Sequence, residues 1–301
     1  MIALLCPGQG SQKPGFMNSW LEIPEYKNNM EQLSDVIGLD LIMHGTVSDE
    51  GTIRDTAIAQ PLIVAASIAT ANLLELFEVS AVAGHSVGEV AAGYVAGILS
   101  EADAMKLVQV RANAMAKAAK SSDTGMAAVL GGEVEVVLET LKNHNLTPAN
   151  YNGAGQIVAA GSAEAIRELV ANPPTGAKVI ALSVAGAFHT SYMESAVSEL
   201  ADFANGINVS DPNKTIWSNH EAEEILSGED YIEKLVGQVA NSVRWDLCMG
   251  AMTKAGVTGV IELSPAGALA GLAKRGMPGV EIVALKEPTD LDAAREMIAR
   301  G

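Results

Sequence analysis

Short runs of apolar residues alternate along this chain with longer stretches in which apolar positions recur at helical spacing. Ile2 to Cys6, Val79 to Ala83, Thr215 to Ser218, Val257 to Leu263 and Val280 to Leu285 read as strands. Most are apolar at nearly every position, and helix-like segments separate them. A strand with no polar side must be covered on both faces. The pattern therefore predicts an α/β protein with a mainly parallel sheet and helices on both faces.

The middle of the chain has a different rhythm. Gly125 to Gly131 reads as a strand and Val134 to Asn143 as a helix. Thr147 to Asn150 and Gln156 to Ala160 flank the turn Asn152-Gly153-Ala154-Gly155, a hairpin signal. A helix over Ala163 to Val170 follows, then Pro173-Pro174, then a strand over Lys178 to Val184. The order βαββαβ is that of a ferredoxin-like module. An inserted ferredoxin-like α+β subdomain is expected over residues 124–187, within a large α/β domain made of residues 1–123 and 188–301.

Composition and charge narrow the classes of partner. Only 4% of residues are aromatic against 49% hydrophobic, so aliphatic side chains and alanine must fill the core. The longest apolar stretch without a charge, Thr56 to Leu74, carries Gln60, Pro61, Ser67, Thr70 and Asn72. So many polar groups argue for a buried helix starting near Pro61 and against a membrane span. The net charge of −17 makes nucleic acid and anionic membranes poor partners, and an acidic protein partner would need a local basic patch. Cys6 and Cys248 lie in apolar surroundings without metal-ligand spacing, as buried thiols of a reducing compartment do. The first apolar run ends at Pro7-Gly8, too short for the core of a signal peptide, and a cytoplasmic location is expected. No metal-ligand cluster and no dinucleotide or triphosphate loop is apparent, so neither a metal nor a resident cofactor is expected.

Three residues carry candidate chemistry. Gly84-His85-Ser86-Val87-Gly88 follows a predicted strand and opens a helical segment. In a turn of the G-x-S-x-G type the glycines allow the close backbone approach that lifts the serine hydroxyl over the sheet edge, as in α/β-hydrolase-like cores. The following helix aims its first N–H groups at any negative charge that develops there. A chance Gly-Ser-Gly turn is the alternative. Of five histidines, His85 adjoins the serine and points away, His44 and His144 read as surface residues, and His220 lies in the charged stretch Asn219 to Glu224. His189, after the Ala185-Gly186-Ala187 turn, is either a base delivered to Ser86 or a histidine buried at a domain junction. Arg111 interrupts the apolar stripe Leu107, Val108, Ala114, Met115, Ala118 of a helix expected over Glu101 to Lys120. It either snorkels or pairs with a buried carboxylate, or it waits for the carboxylate of a ligand.

Together these residues resemble a known family. Pro7-Gly8-Gln9-Gly10-Ser11-Gln12, Gly84-His85-Ser86-Val87-Gly88-Glu89, Arg111, Gly186-Ala187-Phe188-His189, Val236-Gly237-Gln238, Val243-Arg244-Trp245 and Gly271-Leu272-Ala273-Lys274-Arg275 closely resemble, in order, the malonyl-CoA:acyl carrier protein transacylases. The similarity runs from residue 2 to about 288. It implies Ser86 as nucleophile, His189 as base, and backbone N–H groups of Gln9 and Val87 as oxyanion hole. It also implies Arg111 as clamp for the malonyl carboxylate and a carbonyl of Gln238 as the group that orients His189. Phe188 and Met115 are expected in the substrate pocket, with Phe188 crowding an α-methyl branch. Malonyl-CoA would be the substrate, CoA a product, and a phosphopantetheinylated acyl carrier protein the acceptor. Lys274 and Arg275, which close a predicted helix in an otherwise acidic chain, are expected to join a local basic patch that receives it. One turn departs from the family: Ser264-Pro265-Ala266-Gly267 stands where many members read Gly-Pro-Gly. The rival readings are an acyltransferase serving a polyketide synthase and a serine thioesterase or esterase. The hydrolase would place an acid between serine and histidine in the chain.

Overall fold

A computed structural model describes residues 1–301. In chain order the strands are β1 (Ile2–Cys6), β2 (Ala81–Gly84), β3 (Thr124–Gly131), β4 (Thr147–Gly153), β5 (Gln156–Ser162), β6 (Ala177–Ala181), β7 (Thr215–Trp217), β8 (Gly259–Glu262) and β9 (Glu281–Ala284). They form two sheets. The larger has the order β7-β2-β1-β8-β9, and every pairing in it is parallel. Alternate residues enter different cores: Ile2, Leu4 and Cys6 of β1 join one apolar cluster, Ala3 and Leu5 the other. That division is why the strands are apolar at consecutive positions. Because all five run the same way, the loops that leave their carboxyl ends share one edge.

The second sheet has the order β4-β5-β3-β6 and is antiparallel throughout. The helices Val134–Asn143 and Ala163–Ala171 interleave with its strands in the βαββαβ order of a ferredoxin-like unit. Ala127 and Val129 of β3 pack under these helices, whereas Met126 and Ala128, on the opposite face, line a cleft toward the larger sheet. The two sheets are also stitched together. Tyr151 N–H donates to the Val243 carbonyl and Val243 N–H to that of Ala149, at 2.9 Å each.

Several boundaries differ from the sequence expectation. β2 begins at Ala81, because Val79 closes a 3₁₀ turn (its N–H donates to Leu76 O at 3.2 Å) before the register with β1 starts. β8 begins at Gly259, two residues after Val257, at the first position in register with Ile2. β6 ends at Ala181; Leu182 N–H still reaches Met126 O, and the chain then turns away toward the larger sheet. The buried helix runs Thr56–Ala71, so Pro61 lies inside it and does not start it. Asp55 is the effective start signal, its carboxylate accepting from Ala57 N–H at 2.9 Å. No helix of the structure is long and apolar enough to cross a membrane.

The unusual Ser264–Gly267 turn is built around a buried acid. Glu262, with no exposed surface, accepts from the N–H groups of Gly267 (2.7 Å), Leu269 (2.9 Å) and Ala270 (2.8 Å) at the start of the Ala268–Gly276 helix. Gly267 has φ 136°, a conformation that a side chain rarely adopts, so the glycine is needed where it stands. Replacing Glu262 with Ala strands one buried donor and two part-buried ones at a helix start, and the expected loss is about 2–4 kcal/mol. Urea unfolding of Glu262→Ala and of Glu262→Gln, which keeps one acceptor and should lose less, checks this.

Candidate active site

The turn after β2 is set by two glycines and an asparagine. A Cβ on Gly84 would lie 2.2 Å from the carbonyl carbon of Gly88, and one on Gly88 would lie 2.1 Å from the Cys6 carbonyl oxygen. Neither position tolerates a side chain. Between them Ser86 adopts φ 53°, and the helix Gly88–Val95 begins just after. Asn219, at the carboxyl end of neighbouring β7, holds the turn from beneath. Its Oδ1 accepts from Ser86 N–H and its Nδ2 donates to Gly84 O, both at 2.7 Å. The stretch Asn219 to Glu224 is therefore only partly a solvated one: His220 is exposed as expected, but Asn219 is fully buried.

His189 reaches Ser86 from the loop that returns from the small sheet. Thr124 Oγ1 accepts from Ala187 N–H (3.0 Å) and Thr190 Oγ1 donates to Ala187 O (2.7 Å), bracketing a residue with φ 60°. His189 Nε2 lies 2.7 Å from Ser86 Oγ, and Nδ1 lies 2.8 Å from the main-chain carbonyl of Gln238. A carbonyl only accepts, so Nδ1 carries the proton and Nε2 is free to accept from the serine hydroxyl. Burial, then the charge of Arg111, push the imidazole down to about 3, so it is neutral at neutral pH. The other histidines take no part in this pair. His85 Nε2 is 2.9 Å from Asn152 Oδ1 and its ring meets the edge of Trp245. His144 is half-buried, with Nδ1 2.9 Å from Thr140 O. His44, expected at the surface, is buried because its short helix turns Leu41, His44 and Gly45 inward, and its Nδ1 meets Ser48 Oγ at 3.0 Å.

Arg111 is wholly buried in the Glu101–Ala119 helix. Nη1 donates to Gln60 Oε1 (2.7 Å) and Nη2 to Gln238 Oε1 (2.8 Å), with Ser86 Oγ 3.4 Å from Nη2; Nε has no partner. Its immediate acceptors are thus neutral amides. Glu89, also buried, lies beyond Gln238, whose Nε2 donates to Glu89 Oε2. Burial lowers the guanidinium to about 10, still charged at neutral pH, while the charge of Glu89 raises it. Burial raises the Glu89 carboxyl to about 8, against the opposing pull of the Asn219 N–H, the Arg111 charge and the Gln238 amide.

These groups border a cleft of about 210 Å³ between the carboxyl edge of the large sheet and the open face of the small one. Gln9, Gln60, Ser86 and Met115 line one side, Met126, Ala128 and Val158 the other, with Phe188 and His189 between. Arg111 stands behind this lining. The backbone N–H groups of Gln9 and Val87 donate to no acceptor within the protein. Gln60, Glu89 and Asn219 escaped the sequence reading. A signal existed for two of them: Gln60 is polar in an otherwise apolar helix, and Glu89 directly follows the serine motif.

A hydroxyl bonded to a bare imidazole nitrogen can give up its proton as it attacks a carbonyl, and free N–H groups beside it can receive the oxyanion. A serine–histidine pair at the carboxyl edge of a parallel sheet defines a class of proteins able to act on acyl groups. Residues 3–286 match the family model for the acyl transferase domain. The malonyl CoA-acyl carrier protein transacylase of Mycobacterium tuberculosis is 45% identical over 97% of this chain and 98% of its own. The crystal structure of MCAT from that organism superposes with a TM-score of 0.94 at 44% identity, covering 98% of this chain and 99% of the other. A malonyl-transacylase in complex with a type II PKS acyl-carrier protein gives a TM-score of 0.92 at 28% identity, covering 98% and 99%. The chain belongs to the acyl transferase domain family.

The buried imidazole makes stability depend on pH. Its value falls from 6.5 to about 3 on folding, so between these limits the unfolded chain binds a proton that the folded protein refuses. Stability from this group is present above pH 6.5 and is lost as pH falls, with a slope of up to about 1.4 kcal/mol per pH unit. His189→Gln, neutral throughout, should flatten the dependence of the urea midpoint on pH between 6.5 and 4. Parallel curves for the two proteins would contradict the assignment.

Proposed function

We propose that this protein moves a malonyl group from malonyl-CoA to the phosphopantetheine thiol of an acyl carrier protein, through an ester on Ser86, in the supply of fatty-acid synthesis. The observation that carries the reading is the buried guanidinium of Arg111, 3.4 Å from the Ser86 hydroxyl and bonded to amide oxygens that a carboxylate can replace. Only a short acyl group with its own acid can hold both at once. The names borne by relatives with 45% identity support the same substrate and acceptor.

In this scheme His189 Nε2 takes the Ser86 proton as Oγ attacks the thioester carbonyl. The oxyanion rests on the N–H groups of Gln9 and Val87, and His189 returns the proton to the departing CoA thiolate. The carrier thiol then repeats the steps in reverse, which gives ping-pong kinetics. The Gln238 carbonyl orients the imidazole, and no third ionised group is needed. That is also the argument against an esterase, whose histidine would meet a carboxylate. Phe188 and Met115 bound the acyl pocket, and a ring at 188 disfavours an α-methyl branch by about 1–3 kcal/mol. CoA enters as substrate and leaves as product, no resident cofactor is required, and the enzyme works in the cytoplasm. Lys274 and Arg275, both exposed, offer a basic landing for the acidic carrier; Arg275 Nη2 lies 3.4 Å from Gln156 Oε1, on the cleft wall. Likeness to the PKS transacylase complex keeps a polyketide carrier as the second reading. Rates with carrier proteins of the two pathways separate them.

Brief incubation with malonyl-CoA should add one malonyl mass to the protein and none to Ser86→Ala; labelling that survives the substitution defeats the ester. Arg111→Ala should lower malonyl transfer relative to acetyl transfer by on the order of 10–100-fold, the size of a lost charge-assisted pair. Equal losses for the two acyl groups would remove the clamp.

A further inference from the structure

Glu89 has no part in the scheme above, yet it is the most expensively placed acid of the site. It is 1% exposed in the first turn of the Gly88–Val95 helix, and a carboxylate there is tolerated only if its oxygens are paired. Asn219 N–H donates to Oε1 at 2.7 Å and the Gln238 amide donates to Oε2. No cation bonds to it directly. Gln238 stands between the acid and Arg111, its Oε1 accepting from Nη2 at 2.8 Å. A side-chain amide has two orientations that differ only by exchange of O and N. Here the choice is forced, since the guanidinium can only donate and the carboxylate accepts. The same residue supplies the main-chain carbonyl that meets His189 Nδ1.

We propose that Glu89 is the positioning residue of this site: through the Gln238 amide it sets both the guanidinium that meets the acyl acid and the carbonyl that orients the base. The inference rests on the acyl-transfer reading. Glu89→Gln preserves size and removes one acceptor. Its NH₂ must then face either the Asn219 N–H or the Gln238 NH₂, and if Gln238 turns over to accommodate it, a donor faces Arg111. Both arms of the site should loosen together, which a general loss of stability would not produce.

Two readouts test this on the intact protein: the rate at which a fluorophosphonate phosphonylates Ser86, releasing fluoride, and the ratio of malonyl to acetyl transfer. Glu89→Gln is expected to lower each by about 10-fold or more, and Glu89→Asp, which keeps the carboxyl group, to recover part of both. In a Gln238→Ala background the same Glu89 substitution should cost less than about 3-fold, because the residue through which it acts is gone. Losses that multiply in the double variant overturn the proposal, as does slower phosphonylation with an unchanged acyl preference. Should Glu89→Gln not fold, Glu89→Asp with Gln238→Ala completes the cycle under the same requirement. A parent protein that phosphonylates at Ser86 but transfers no malonyl defeats the proposed function, while the phosphonylation cycle still decides the role of Glu89.

Discussion

The backbone of Gly88 lies against the carbonyls of Cys6 and Pro7, so closely that one added methyl would sit 2.1 Å from the first of them. That contact welds the loop after β1 to the turn after β2. His85 N–H adds a bond to Cys6 O at 3.0 Å, and a Cβ on Gly8 would lie 2.9 Å from His85 Nδ1. With the two loops held together, the free N–H groups of Gln9 and Val87 share one neighbourhood and Ser86 is forced to a positive φ. The geometry of the site follows from the adjacency of two parallel strands whose loops meet at glycines that have no room for a side chain.

Burial does the electrostatic work. The imidazole of His189 is kept neutral by desolvation and by the nearby guanidinium, so its Nε2 lone pair is open to the Ser86 hydroxyl without an acid partner. Arg111 keeps its charge in a dry place because amide oxygens of Gln60 and Gln238 accept from it, and the Glu89 carboxyl lies one residue further on. A guanidinium bonded only to neutral groups remains receptive to an arriving carboxylate, whereas one locked in a direct ion pair would not. Gln238 is the junction of these effects, binding His189 with its main chain and Arg111 and Glu89 with its side chain.

The small sheet serves this site in two ways. Its uncovered face, through Met126, Ala128 and Val158, walls the cleft beside Ser86. Its exit loop carries Phe188 and His189 back over the large sheet, pinned where Ala187 N–H meets Thr124 Oγ1. The bridge between Val243 and the β4 backbone holds the segment after Gln238 against the same unit. Closing the cleft and presenting the base are therefore one structural task.

Much of the fold was legible along the chain. Runs with apolar residues at consecutive positions announce a doubly covered parallel sheet, and the βαββαβ rhythm with the Asn152–Gly155 turn announces the antiparallel unit. Both signals are local, since periodicity and turn chemistry are properties of short segments. Ser86 and Arg111 were legible for a similar reason: a glycine-flanked serine after a strand and a charge within an apolar stripe are anomalies of local pattern. The helix start at Asp55, the inward turn of His44, the burial of Asn219 and the roles of Gln60 and Glu89 were decided only when distant segments met. Glu89 and Gln238 are 149 residues apart, and a polar side chain shows nothing in its own neighbourhood of which buried partner will satisfy it. The sequence by itself determined which elements form and which residues are chemically out of place. The tertiary structure decided which of those residues touch, because hydrogen-bond partners in a dry interior are chosen by packing and not by spacing along the chain.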